Sequence, residues 1–277
     1  MKKYLALFAL SAVILYSAYY FSSDVIATET PVPVPESFTF KGQPVNPGCI
    51  DKFTGDSSRF EPIWLDTNEC QQTKRDYTQE KLTHGFIGFE PVYKDAPGSY
   101  VYYKYLGKIH FQELDAPTYN LIYVENSGGG TGAFSSINVV DLNNDVLRLI
   151  DTIDGGDRCN GGLSSVEFKD NTLIYKKNVT PLALYSNAQK TATPNQNFAD
   201  CAACCVGKVR FKNGQVNTFE FDQDVLDHLK ADPKSPQDCF NQIIKETIDG
   251  GKSLLTPDEL KAFGVRVKER CAVVEQK

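Results

Sequence analysis

All eight cysteines of this 277-residue chain lie beyond residue 48: Cys49, Cys70, Cys159, Cys201, Cys204, Cys205, Cys239 and Cys271. An even set downstream of an export-type leader predicts a framework of disulfides. Cys49 and Cys70 bracket a loop-rich segment, and a bridge between them would hold it. Cys239 and Cys271 sit on two expected C-terminal helices and could clamp them. Cys204 and Cys205 are adjacent, so each is expected to bond a distant partner. The pairing among Cys159, Cys201, Cys204 and Cys205 stays open at this level.

Two sharper readings of Cys201-Ala202-Ala203-Cys204-Cys205 are disfavoured. A redox pair needs its first cysteine at a helix N-terminus, where the dipole lowers the thiol pKa. Here the cluster runs into Val206–Lys212, which reads as a strand. A zinc site needs a second ligand pair, and His84, His110 and His228 show no ligand spacing. No metal and no cofactor is expected.

Lys2 and Lys3 precede an uncharged run from Tyr4 to Phe21, and Val25-Ile26-Ala27 offers small or apolar residues for a cut after Ala27. That order is the one expected of a secretory signal peptide, and its short basic start predicts a bacterial type. As a helix the run would span roughly 27 Å, enough to cross a bilayer, so the rival is an uncleaved anchor through residues 4–21. Either reading exports the body, to the periplasm or beyond. Cleavage removes Lys2, Lys3 and Asp24 and moves the net charge from −6 to −7. An acidic chain is a poor nucleic-acid binder, because phosphates need a positive field. With 41% hydrophobic residues the chain is not disordered either.

Residues 1–27 are thus the leader and 28–37, with three prolines, a polyproline-type linker. A single domain fills 38–277: a loop-rich part (38–85), a β core (86–221) and a helical part (222–277). The β signal consists of short runs rich in Val, Ile, Tyr and Phe, bounded by Gly, Pro, Asn or Asp. They are Phe86–Tyr93, Tyr100–Leu106, Ile109–Leu114, Tyr119–Val124, Ala133–Leu142, Val146–Ile153, Ser165–Phe168, Leu173–Lys177, Val206–Phe211 and Val216–Phe221. About ten strands at this spacing predict an antiparallel sandwich, barrel or bent sheet. Asn143-Asn144, Lys169-Asp170-Asn171 and Asn213-Gly214 are the hairpin turns. Helices are expected at Asp224–Lys230, at Cys239–Ile248, and from Pro257 to about Arg270. The last opens on Thr256 as N-cap, with Pro257 at N1 and Glu259 at N3.

Three regions are candidates for recognition. The loop Ser127–Gly132, with Gly129, Gly130 and Thr131, is either a flexible hairpin connection or a binding loop. The loop Asp154–Gly162 carries Asp157 and Arg158, which either meet a ligand or brace a loop anchored by Cys159. The two loops lie at one end of the sheet if the intervening strands are hairpins. Tyr100 and Tyr102 face one way on a strand and Tyr103 and Tyr105 the other. One set should enter the core, leaving the other for recognition.

Several motifs fail. Asp141-Leu142-Asn143-Asn144-Asp145 starts like a calcium loop, but Val146 stands where glycine is required and Thr152 where glutamate closes the loop. Gly251-Lys252-Ser253 imitates a P-loop end, but Glu246 occupies the first glycine position. No catalytic constellation emerges. The expectation is a non-catalytic exported protein that binds another protein or an envelope component, in the manner of an inhibitor or immunity protein. Its acidity favours a basic partner. The alternative is an exported hydrolase using His84, His110 or the acidic loop 154–157.

Overall fold

The computed structural model describes residues 34–54, 64–72, 77–80, 85–91, 98–110, 117–189, 198–222 and 235–271. The expected leader, most of the expected linker, His84, His228 and the expected helix 224–230 lie outside them. In chain order the strands are β1 (Thr39–Phe40), β2 (Gln43–Pro44), β3 (Trp64–Asp66), β4 (Tyr77–Glu80), β5 (Phe86–Pro91), β6 (Ser99–His110), β7 (Thr118–Gly128), β8 (Phe134–Asn143) and β9 (Val146–Asp157). They continue as β10 (Leu163–Lys169), β11 (Thr172–Val179), β12 (Gly207–Lys212), β13 (Gln215–Phe221) and β14 (Leu254–Leu255). The helices are α1 (Pro47–Thr54), α2 (Thr67–Gln72), α3 (Pro181–Gln189), α4 (Pro236–Asp249) and α5 (Pro257–Cys271).

Three tight turns set the ladders. Asn144 and Asp145 have φ of 49° and 64°, Asp170 and Asn171 have 49° and 56°, and Asn213 and Gly214 have 48° and 75°. Two successive positive φ values give the turn whose twist matches that of the flanking strands. They fold β8 on β9, β10 on β11's start, and β12 on β13. The result is a seven-stranded antiparallel sheet, β3-β9-β8-β7-β6-β5-β4, and a five-stranded one, β10-β11-β12-β13-β14. The chain is mainly antiparallel β with helices toward its C-terminus, as its sequence predicts.

The large sheet is covered on both faces. On one, Phe38, Val45, Cys49, Ile50 and Cys70 pack against Val101, Tyr103, Tyr105, Ile122 and Val124. Tyr103 is fully buried there and donates to the Val45 carbonyl at 2.8 Å, which satisfies a hydroxyl that would otherwise be costly to bury. Residues 38–85, expected to be loop-rich, therefore include two short helices that form a lid on the sheet. On the other face Leu106, Leu121, Tyr123, Ile137 and Val139 meet Leu163, Leu173 and Tyr175 of the small sheet. The small sheet extends past this contact, where Val179, Val209, Phe219 and Phe221 pack on Leu184, Phe240, Ile243, Leu260, Phe263 and Val267 of the helices.

The expected strand Tyr100–Leu106 and the first two residues of the expected strand Ile109–Leu114 join into β6, while 111–114 lie outside the described residues. Gly107 reads as a break but is a bulge, with φ 153° and a shifted register against Leu121. A Cβ at Gly107 would lie 2.8 Å from the Phe168 ring, so the small sheet's aromatic side chain fills that place. Helix α3 was not expected, yet it begins as α5 does. Thr180 Oγ1 accepts from Ala183 N at 3.2 Å ahead of Pro181. In α5, Thr256 N donates to Glu259 Oε2 at 2.9 Å and Glu259 N to Thr256 Oγ1 at 3.4 Å, the reciprocal capping expected of that start.

Four disulfides use all eight cysteines. Cys49–Cys70 ties α1 to α2, and Cys239–Cys271 ties α4 to α5. Cys205 reaches Cys159, 46 positions away. Cys204 overturns its expectation: it bonds Cys201, three positions away, across a turn that also carries a Cys204 N to Cys201 O hydrogen bond at 2.9 Å. Adjacency forced only one of the two cysteines to look far afield.

Candidate functional site

The register brings the three candidate regions to one end of the large sheet. Tyr100 stands opposite Ser127 and Tyr102 opposite Glu125. Phe134, just past the first glycine-rich loop, pairs with Asp157. The loops are bonded to each other: Ala133 N donates to Asp157 Oδ1 at 2.9 Å, and Arg158 N to the Ala133 carbonyl at 3.2 Å.

The second loop is built from backbone contacts. A Cβ at Gly156 would lie 2.2 Å from the Asn160 carbonyl oxygen, and one at Gly162 2.4 Å from that of Arg158. Asp157 N and Asn160 N close the turn onto each other's carbonyls at 3.0 and 2.7 Å. Arg158 grips Asp157 with Nε and Nη2, both at 3.0 Å. That bond, aided by the Ala133 amide and opposed by partial burial, holds the Asp157 carboxyl below the usual carboxylate range. Asn178 Nδ2 donates to the Arg158 carbonyl at 3.2 Å, and Cys159 is bridged to Cys205. Arg158 and Asp157 thus brace the crossing from one sheet to the other, and each occupies the other's charge.

The first loop differs. A Cβ at Gly128 or Gly130 would meet no atom within 4 Å. Gly128, Gly130 and Thr131 are exposed and Gly129 is half-buried with φ 91°. Ser127 Oγ anchors the loop by donating to the Gly132 carbonyl at 2.8 Å.

Beside it lies an aromatic platform. Tyr103 and Tyr105 take the face of β6 covered by α1 and α2, and Tyr100 and Tyr102 the face they share with Tyr123, where both are half-buried. Tyr102 lies across Gly88 of β5, where a Cβ would come within 1.9 Å of its ring. Tyr100 stacks on Tyr102 with ring centroids 5.2 Å apart and planes 24° apart. Next along the face, Tyr123 meets Phe86 edge-on at 5.7 Å and donates to Glu125 Oε1 at 2.7 Å. Burial first, and the Glu125 charge second, raise the Tyr100 and Tyr123 hydroxyl pKa values. Both phenols therefore stay neutral donors at neutral pH.

Behind the platform the gap between the sheets is sealed by polar links. Lys177 pairs with Asp154 at 2.6 Å, and Leu163 N donates to Ser135 Oγ at 2.7 Å. His110 is exposed at the opposite end of β6, opposite Thr118, so it does not meet Asp154 or Asp157. Among the described residues no group of three or more His, Cys, Asp and Glu could hold a metal ion. A depression lined by Lys208, Glu220, Phe221, Asp222 and Ser253 sits on the small sheet.

Glu125, Tyr123 and Gly88 escaped the sequence reading. The run Tyr119–Val124 appeared to stop short of Glu125, but β7 continues to Gly128. The alternation Leu121, Tyr123, Glu125 is the signal that would have placed this carboxylate on the Tyr102 face. Comparison with protein-family models, curated proteins and solved structures finds no match to this chain.

Proposed function

We propose that the chain is an exported, non-catalytic binding protein whose partner, another protein or an envelope component, docks on the Tyr100/Tyr102 end of the large sheet. One observation carries this reading: a stacked tyrosine pair laid flat on Gly88 adjoins a loop whose Gly128 and Gly130 answer to no packing requirement. Tyrosine combines apolar contact area with a polar tip and little entropy to lose, which suits recognition. An inhibitor- or immunity-like role fits a surface braced by disulfides. Export to the periplasm is supported by the leader pattern and by the pairing of all eight cysteines, which suits an oxidising compartment. The net charge of −6 would steer a basic partner.

The test is photo-crosslinking in an envelope extract. A crosslinker replacing Thr131 should give a discrete adduct, and one replacing Asp170, in the distant β10–β11 turn, should not. The adduct should vanish in a Tyr100→Ala/Tyr102→Ala background. No adduct from position 131, together with turnover of an ester or cell-wall substrate lost on His110→Ala, would favour the hydrolase instead.

A further inference from the structure

The Tyr100/Tyr102 platform is incomplete in one respect. Glu125 is half-buried, accepts one hydrogen bond from the neutral Tyr123 hydroxyl, and forms no ion pair with any described lysine or arginine. A carboxylate partly withdrawn from water gains most from a cation brought to it. Its other oxygen is left by Tyr123 for such a partner. Tyr102 stands directly opposite Glu125 across the β6–β7 ladder, and Tyr100 stacks on Tyr102. Aromatic faces attract cations through their quadrupole, and a planar guanidinium stacks on them while donating from its edge. At the same end Arg158 is held by Asp157 through two nitrogens and Lys177 by Asp154 at 2.6 Å.

We infer that Tyr100 and Glu125, with Tyr102 as the support beneath Tyr100, form a receptor for an arginine side chain of the docking partner, stacked on Tyr100 and donating to Glu125. The inference rests on the proposed docking end and adds the chemistry of its anchor. It also gives the chain's acidity a local address, since one desolvated carboxylate fixes the partner's charge where distributed surface charge only steers it.

The probe is an acetylated Gly-Arg-Gly amide, titrated into the full chain while amide NMR shifts are followed, with the citrulline peptide as neutral isostere. The arginine peptide should cause saturable shifts at Tyr100, Tyr102 and Glu125, and the citrulline peptide none. Glu125→Gln keeps the shape and an acceptor for Tyr123, and should weaken binding by at least about tenfold. Unchanged binding by Glu125→Gln, equal binding of citrulline, or no saturable shift up to about 20 mM peptide overturns the inference. The two proposals separate cleanly. A crosslink from position 131 that survives Glu125→Gln, without arginine binding, keeps the docking end and removes the arginine anchor. Arginine binding without any crosslink does the reverse.

Discussion

The two glycine-rich loops sit side by side at one end of the large sheet, and they are glycine-rich for different reasons. In the loop from Asp154 to Gly162, glycines are compulsory: a methyl group at Gly156 or Gly162 would run into a carbonyl oxygen at 2.2 or 2.4 Å. In the loop from Ser127 to Gly132, Gly129 takes a φ of 91° and a methyl group at Gly132 would meet the Phe134 ring at 2.7 Å, but Gly128 and Gly130 have open space where a side chain would go. The first kind of glycine is explained by the fold. The second kind is not, which makes that loop the better place to look for recognition. The same contrast sorts the charged groups: Asp157 and Arg158 are spent on each other, whereas Glu125 beside the open loop pairs with no described lysine or arginine.

The sharpest way to break this contrast is to remove the brace of the crowded loop. Cys159→Ser/Cys205→Ser opens a 46-position bridge, and loop-closure entropy predicts a loss of about 4 kcal/mol, read by chemical denaturation. Removing the three-position Cys201–Cys204 bridge should cost only about 2 kcal/mol on the same scale. Gly156→Ala should cost roughly 2–3 kcal/mol through overpacking against backbone, lowering the thermal midpoint by several degrees. Gly130→Ala should shift the same midpoint by less than about 0.5 kcal/mol equivalent. Equal losses from the two alanines would erase the distinction between the loops.

Acid should also tell the loops apart. The Asp157 carboxyl is held below its usual pKa by Arg158, so its contribution is present above the usual carboxylate range and lost as pH falls through the depressed value. Melting curves of the native chain and Asp157→Asn should therefore differ at neutral pH and converge in acid. Glu259 offers a check elsewhere: Lys252 and the Thr256 cap hold it at about 2. Its contribution, present above the ordinary value of 4.5, should fade as pH drops toward 2, and Glu259→Gln should flatten that window.

Much of this was legible in the chain because the signals are local. Asn213-Gly214 specifies a turn by its own φ preferences, Thr256–Glu259 caps its own helix, and the alternation of Tyr100 and Tyr102 with Tyr103 and Tyr105 follows from a period of two. The features that escaped depend on a partner far away in sequence. Gly107 is a bulge because Phe168 arrives from the other sheet, and Gly88 is small because Tyr102 lies on it. Glu125 became a site residue only when β7 extended to face Tyr102. Two misses were local: Cys204 closes a short turn with Cys201, and Thr180-Pro181 is a helix start of the same kind as Thr256-Pro257. The candidate loops were found by composition, but only packing shows which one the fold already uses.

The central claim is that the Tyr100/Tyr102 end with its open loop is built for a partner and not for the fold. Gly130→Trp tests it most directly, with the thermal midpoint and the yield of a photo-adduct from exposed Asn160 measured on the same preparation. The account predicts an unchanged midpoint and a lost adduct. An adduct formed at the native yield would contradict it.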